Sequence, residues 1–157
     1  MSEASAPPVV VVVDVANVMG SRPDGWWRDR AGAATRLLER MPRLVGRTVV
    51  GPAREAADGR TDGSAGGHAD EPADGALTIA RVVAVLEGQA KAAAEPAGIE
   101  VVRAPADGDA AIVDVAAGLA SAGERLLVVT ADRGLRARLP RDARVAGPGW
   151  VNDLLGR

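Results

Sequence analysis

Pro7-Pro8-Val9-Val10-Val11-Val12-Val13-Asp14-Val15-Ala16-Asn17 decides the fold. Five consecutive valines leave no polar face, so an extended chain here has both sides buried. Such a strand belongs inside a parallel sheet covered on both faces, not in an antiparallel sheet with one wet face. It ends abruptly on a carboxylate. Residues rich in turn formers follow, Gly20-Ser21-Arg22-Pro23-Asp24-Gly25.

Working outward, strand and helix patterns alternate. Trp27, Ala31, Ala34 and Leu38 fall on one stripe, which predicts a helix over about 26–41, ended by Pro42. Residues 45–51 read as a short extended piece. Residues 78–87 read as a second buried strand, 89–95 as a short helix stopped by Pro96 and Gly98, and 99–103 as a third strand. A helix over 109–120 carries Ile112, Val115, Ala116 and Leu119 on one face. A fourth strand over 125–130, a helix over 132–139, a short fifth strand over 143–146 and a helical turn over 150–155 complete the pattern. Gly147-Pro148-Gly149-Trp150 reads as a turn with Trp150 covering the sheet edge. The alternation implies right-handed crossovers, and the expected fold is α/β, a three-layer sandwich with a mostly parallel five-stranded sheet. A length of 157 residues suits a single domain. Residues 52–75, rich in Gly, Asp and Ala, read as a flexible insertion within it.

Composition narrows the chemistry. Hydrophobic residues make up 47% but aromatics only 2%, all tryptophan, so the core is expected from Val, Leu, Ala and Ile. There is no cysteine, and His68 is the one histidine. Disulfides, zinc–thiolate sites, cysteine nucleophiles and two-histidine metal sites are thereby excluded. A net charge of −2 and a pI near 5.4 provide no global positive field for nucleic acid. Lys91 is the one lysine, so the basic side is arginine, whose planar fork suits phosphate. Residues 1–6 carry no basic leader, and 9–13 are too few to span a membrane. A soluble, cytoplasmic protein is expected.

Carboxylates remain as the groups to carry chemistry, and they gather. In open α/β sheets, sites lie at the carboxyl ends of the strands. Asp14 ends the first predicted strand and Glu87 the second. Asp107 and Asp109 follow the third, while Thr130 and Asp132 follow the fourth. Parallel strands bring these ends to one side of the sheet. Like carboxylates within a few Å raise each other's pKa, and a hard divalent cation, Mg²⁺ or Mn²⁺, resolves the repulsion. The chemistry that follows is metal-assisted attack of water on a phosphodiester. Asp109 and Asp132 also open predicted helices, where Asp caps without any further role. Asp14 is harder to dismiss, because a carboxylate after five valines is costly unless paired or metal-bound. Asp114, about 140° around the helix from Asp109, reads as solvated, and Glu39 as surface. His68, inside the insertion, is expected to take no part.

Residues 9–13 with Asp14-Val15-Ala16-Asn17 resemble the opening strand and D-x-x-N signature of NYN-type nucleases of the PIN-like superfamily. Asp107-Gly108-Asp109-Ala110-Ala111-Ile112-Val113 is similar to that superfamily's middle acid opening a helix. Leu126-Leu127-Val128-Val129-Thr130-Ala131-Asp132 resembles its strand followed by [ST]-x-D. The resemblance covers most of the chain outside 52–75 and implies a Mg²⁺- or Mn²⁺-dependent ribonuclease. It implies metal ligation by Asp14, Asp109 and Asp132, water or substrate orientation by Asn17, and support by Thr130. The superfamily's second acid has two candidates here, Glu87 and then Asp107.

For the substrate, Trp26 stands off the apolar stripe and either packs under the Gly20–Gly25 loop or offers a stacking face to a base, with Arg22, Arg28 and Arg30 at phosphates. Trp27 is expected in the core. Arg133, Arg136, Arg138, Arg141 and Arg144 form a basic segment beside Asp132, either a solvated helix face or a phosphate contact led by Arg133 and Arg136. Lys91 is a weaker candidate. RNA is the expected partner, a membrane is not, and a homo-oligomer is compatible with the sequence. Two other readings compete, a catalytically silent PIN-like module that binds RNA or protein and a nucleotide phosphohydrolase. A haloacid-dehalogenase-type phosphatase needs an acid where Ala16 stands. A dinucleotide-binding domain needs a G-x-G-x-x-G that residues 15–20 lack.

Overall fold

β1 (Pro8–Asp14) lies at the centre of the sheet, between β3 (Ala76–Leu86) and β5 (Leu126–Val129), and is parallel to both. Its valines divide by parity, as the two-residue period of a strand requires. Val9, Val11 and Val13 enter one hydrophobic cluster, while Val10 and Val12 enter another. The first cluster receives α1 (Val15–Gly20), α2 (Arg30–Arg40) and α5 (Pro148–Leu155) through Val18, Leu37, Leu38, Val151 and Leu155. The second receives α3 (Gly108–Ser121) and α4 (Arg133–Arg138) through Ile112, Ala116 and Leu135. Helices thus cover the central strand from both faces. These relations come from a computed structural model that describes residues 6–52 and 75–157.

Among the described residues the sheet has six strands, where five are expected. β4 (Glu100–Arg103) pairs parallel with β3, and β6 (Arg144–Ala146) pairs parallel with β5. The sixth is β2 (Thr48–Val50), antiparallel to β3, with Thr48 opposite Thr78 and Val50 opposite Ala76. β3 is 11 residues long, enough to carry β2 on its first residues and β4 on its last. Side-chain hydroxyls of Thr48 and Thr78 hydrogen-bond across the pair at 3.0 Å.

Three local readings change. Gly20, read with the turn formers that follow it, instead ends a helix over Val15–Gly20 that Asp14 caps. The expected helix over 26–41 is two pieces. Trp26–Arg28 is a 3₁₀ turn after Gly25, whose φ of 86° suits glycine. Asp29 Oδ1 then accepts from Gly32 N at 2.9 Å and starts α2 afresh. That second start resets the helical phase, so the stripe beginning at Trp27 is broken. Trp27 is 51% exposed, and Trp26 packs half-buried against the core. Trp27 thus leaves the core expected for it, while Trp26 takes the packing role rather than the stacking one. Residues 88–92 form a 3₁₀ turn in place of the helix over 89–95.

Pro148 opens α5 two residues before the expected turn, and Trp150 Nε1 donates to Val50 O of the edge strand β2 at 3.0 Å. The reading of 52–75 as a flexible insertion, with His68 in it, lies outside the described residues except at its flanks. There Gly51 N donates to Gly75 O at 2.8 Å. Among the described residues no helix is long and apolar enough to cross a membrane.

Candidate active site

Asp14 closes β1 and is 8% exposed. Its Oδ1 accepts from Asn17 N at 3.3 Å, and its Oδ2 accepts from Thr130 Oγ1 at 3.0 Å. Both bonds favour the carboxylate, yet burial prevails and pushes the pKa up to about 6, with the charges of Asp109 and Glu87 adding to the rise. Thr130, fully buried just after β5, also accepts from Asp132 N at 3.1 Å. One hydroxyl therefore joins two neighbouring strand ends. Asp132 in turn caps α4, its Oδ1 accepting from Leu135 N at 3.0 Å.

Asn17 adds a second tie between the same corners. Its Oδ1 accepts from Ala131 N at 2.8 Å, so the side-chain oxygen is spent on the backbone after β5. Of the role expected for Asn17, orienting water or substrate, only the amide NH₂ is left to perform it.

The other acids meet at the amino end of α3. The cap is Asp107, whose Oδ1 accepts from Asp109 N at 2.8 Å, and not Asp109 as the sequence suggested. The carboxylate of Asp109, one residue into the helix, accepts no hydrogen bond among the described residues. Partial burial raises its pKa, as do the charges of Asp132, Asp107 and Glu87, while Arg138 opposes the rise. Glu87 stands one residue beyond β3 rather than inside it, and its Oε2 accepts from Gly108 N at 2.8 Å. A Cβ at position 108 would overlap that carboxylate, so glycine is required for this contact.

The structure thus gathers Asp14, Asn17, Thr130 and Asp132 in one hydrogen-bonded group, and Glu87, Asp107 and Asp109 in another. The two groups sense each other's charge. Among the described residues, no three acids stand close enough to form a ready-made metal centre.

The basic candidates divide. Arg136 Nη2 donates to Thr130 O at 3.2 Å and Arg144 Nη2 to Pro52 O at 3.0 Å, so both serve the protein's own backbone. Lys91 Nζ donates to Ala104 O at 3.0 Å. Arg133, Arg138 and Arg141 are exposed, and Arg138 is the one whose charge reaches Asp109. No spacing in the sequence singled Arg138 out from its neighbours. Arg22 Nη2 donates to Arg157 O at 3.0 Å, Arg28 is exposed, and the Arg30 guanidinium lies 5.4 Å over the Trp26 ring. Asp114 and Glu39 are exposed.

No family model matches the chain, and no curated protein matches it in sequence. The fold is similar to a crystal structure of Rae1 (YacP) from Bacillus subtilis, with a TM-score of 0.62 over 94% of this chain and 75% of that one. At 15% identity the likeness concerns the fold.

Proposed function

We propose that the chain is a Mg²⁺- or Mn²⁺-dependent ribonuclease that hydrolyses RNA phosphodiester bonds at the carboxyl ends of β1, β3 and β5. The observation that carries this reading is the buried Asp14 carboxylate, held by Thr130 and surrounded by the charges of Asp109 and Glu87. Carboxylates that raise one another's proton affinity are a donor set that a hard cation completes. Asp14, Asp109 and Asp132 are the residues that would hold it, with Glu87 or Asp107 as the fourth acid. When bound, such an ion supplies a more acidic water and neutralises charge growing on the phosphate.

The remaining work falls to the chain. Thr130 holds Asp14 and the backbone of Asp132 in one frame. Asn17 fixes the corner at Ala131 through its oxygen and offers its NH₂ to water or substrate. Exposed Arg133 and Arg138 supply positive charge to the RNA backbone, a role that Arg136 fills less well because its guanidinium already serves Thr130 O. The fold shared with Rae1 supports the architecture of this reading.

A second reading has one observation in its favour. Among the described residues no three acids form a metal-binding group, which suits a catalytically silent RNA-binding module. The deciding experiment incubates single-stranded and structured RNA with the wild type and Asp14→Asn, with Mg²⁺, with Mn²⁺ and with chelator. Metal-dependent cleavage by the wild type alone is expected. RNA binding without such cleavage supports the silent module, and turnover of free nucleotides but not RNA supports a phosphohydrolase.

A further inference from the structure

Away from the candidate site, α1, α2, the segment between them and Arg157 enclose a cleft whose apolar wall is Met19, Trp26 and Leu37, whose cations are Arg36, Arg40 and Arg157 and whose one acid is Asp24. No acid of the candidate site lines it. The surrounding stretch, residues 22–47, carries seven arginines against three acids in a chain whose net charge is −2. The cations differ in what they already do. Arg157 Nη2 pairs with Asp24 Oδ2 at 3.1 Å, and Arg40 Nη1 donates to Leu155 O at 3.2 Å, closing the end of α5. Arg36 is exposed and makes no hydrogen bond or ion pair among the described residues. At the rim, Arg30 covers one face of Trp26, while Trp27 meets Trp26 edge-on at 5.9 Å and stays 51% exposed.

We propose that this cleft and its rim form a docking surface for single-stranded RNA, with Trp27 stacking on a base and Arg36 meeting the adjoining phosphate. The inference rests on the reading of RNA as substrate and adds where the strand is gripped outside the acids. An exposed indole at the rim of a cleft that holds one uncommitted guanidinium, that of Arg36, matches a base followed by a phosphate, since stacking tolerates any base and arginine provides the charge. An acidic peptide uses the arginines but has no need of the indole.

The test measures fluorescence anisotropy of a labelled single-stranded RNA oligonucleotide on the full chain carrying Asp14→Asn, so that cleavage does not consume the probe. Arg36→Glu is expected to weaken binding at least ~10-fold and Trp27→Ala about 5-fold, in line with the loss of one phosphate contact and one stacked base. Arg125→Glu makes the same charge change at an exposed position before β5, and binding there is expected to stay within about 2-fold. Melting temperatures of the variants verify that each is folded. The proposal is overturned if Arg36→Glu and Trp27→Ala bind like their parent, if the parent binds no RNA, or if polyglutamate or a free mononucleotide binds as tightly as the oligonucleotide. The readings separate cleanly. Binding that depends on Arg36 and Trp27 without metal-dependent cleavage by wild type sinks the nuclease and keeps the docking surface, whereas cleavage with binding indifferent to both residues does the reverse.

Discussion

Asp14 and Asp109 carry the same side chain into the same part of the molecule, yet they are held in opposite ways. Asp14 is buried, accepts from Asn17 N and Thr130 Oγ1, and sits on the central strand. Asp109 is more open and its carboxylate accepts no hydrogen bond among the described residues, because Asp107 has taken the capping role beside it. One half of the acidic region is fixed before any ligand arrives, and the other half keeps its carboxylate uncommitted. The difference teaches that preorganisation can be divided: the strand side sets position, and the helix side is left to respond.

The sharpest way to break this comparison is Asp14→Asn. The amide keeps the volume, its oxygen can accept from Asn17 N and its NH₂ can donate to Thr130 Oγ1 with that bond reversed, so the fold is expected to survive while RNA cleavage falls roughly 10²–10³-fold. A cleavage assay beside a circular-dichroism melt measures both. Activity within tenfold of wild type would move the reactive half to Asp109.

Next in size is the response to pH. Asp14 binds its proton more tightly folded, with a pKa of about 6, than unfolded, so acid favours the folded chain through this group. No penalty exists below the ordinary value of 3.8, the penalty grows as pH rises toward 6, and above that it is complete, at about 3 kcal/mol. Denaturation without divalent cation at pH 4 and pH 7 is expected to show wild type losing stability relative to Asp14→Asn across that window. Added Mg²⁺ is expected to offset the loss at pH 7, because the ionised form is the one a cation takes.

Thr130→Val is expected to lower stability by about 1–3 kcal/mol, since Asp14 Oδ2 and the Asp132 N–H lose their partner in a buried place. Thermal melts should shift by about 2–4 °C per kcal/mol for a chain of this size. Removing the bond that lowers the pKa of Asp14 also moves the pH window further upward. An unchanged melt would show that the strand side is not held by this hydroxyl.

The smallest effect tests the helix side. Gly108→Ala places a Cβ against Glu87 and breaks the Glu87–Gly108 contact. Stability is expected to change by less than about 1 kcal/mol, because alanine suits a helix better than glycine while one hydrogen bond is lost. Cleavage is expected to fall about 10-fold, within the range for removing support behind a ligand. Kinetics unaffected by the substitution would show that Glu87 does not shape the site.

Much of this was legible in the sequence. Five valines ending on an acid could only be a buried strand with a carboxylate at its exit, and Thr130-Ala131-Asp132 announced the neighbouring exit. What stayed hidden was local competition between capping residues. Asp107 and Asp109 are both able to cap, and the choice between them depends on how the chain leaves β4 and on Glu87 taking the N–H of Gly108. Asp29 with Gly32 was a readable signal for a second helix start. Without that restart the apolar stripe runs on through Trp27 and places it in the core, where the structure does not have it. The pairing of Thr48–Val50 with β3 joins residues far apart in sequence, Thr48 and Thr78 being 30 positions from each other, which no periodicity reports.

The central place of β1 has a consequence for how the polypeptide could be divided. Both of its partners, β3 and β5, come from beyond residue 75, while β1 itself comes from before residue 52. Opening the chain between those points would separate a valine-rich strand from the two strands that need it. Each piece would hold an incomplete sheet, and β3 would have no neighbour linking it to β5. The acidic region would be restored only where Asp14 on one piece met Thr130 on the other.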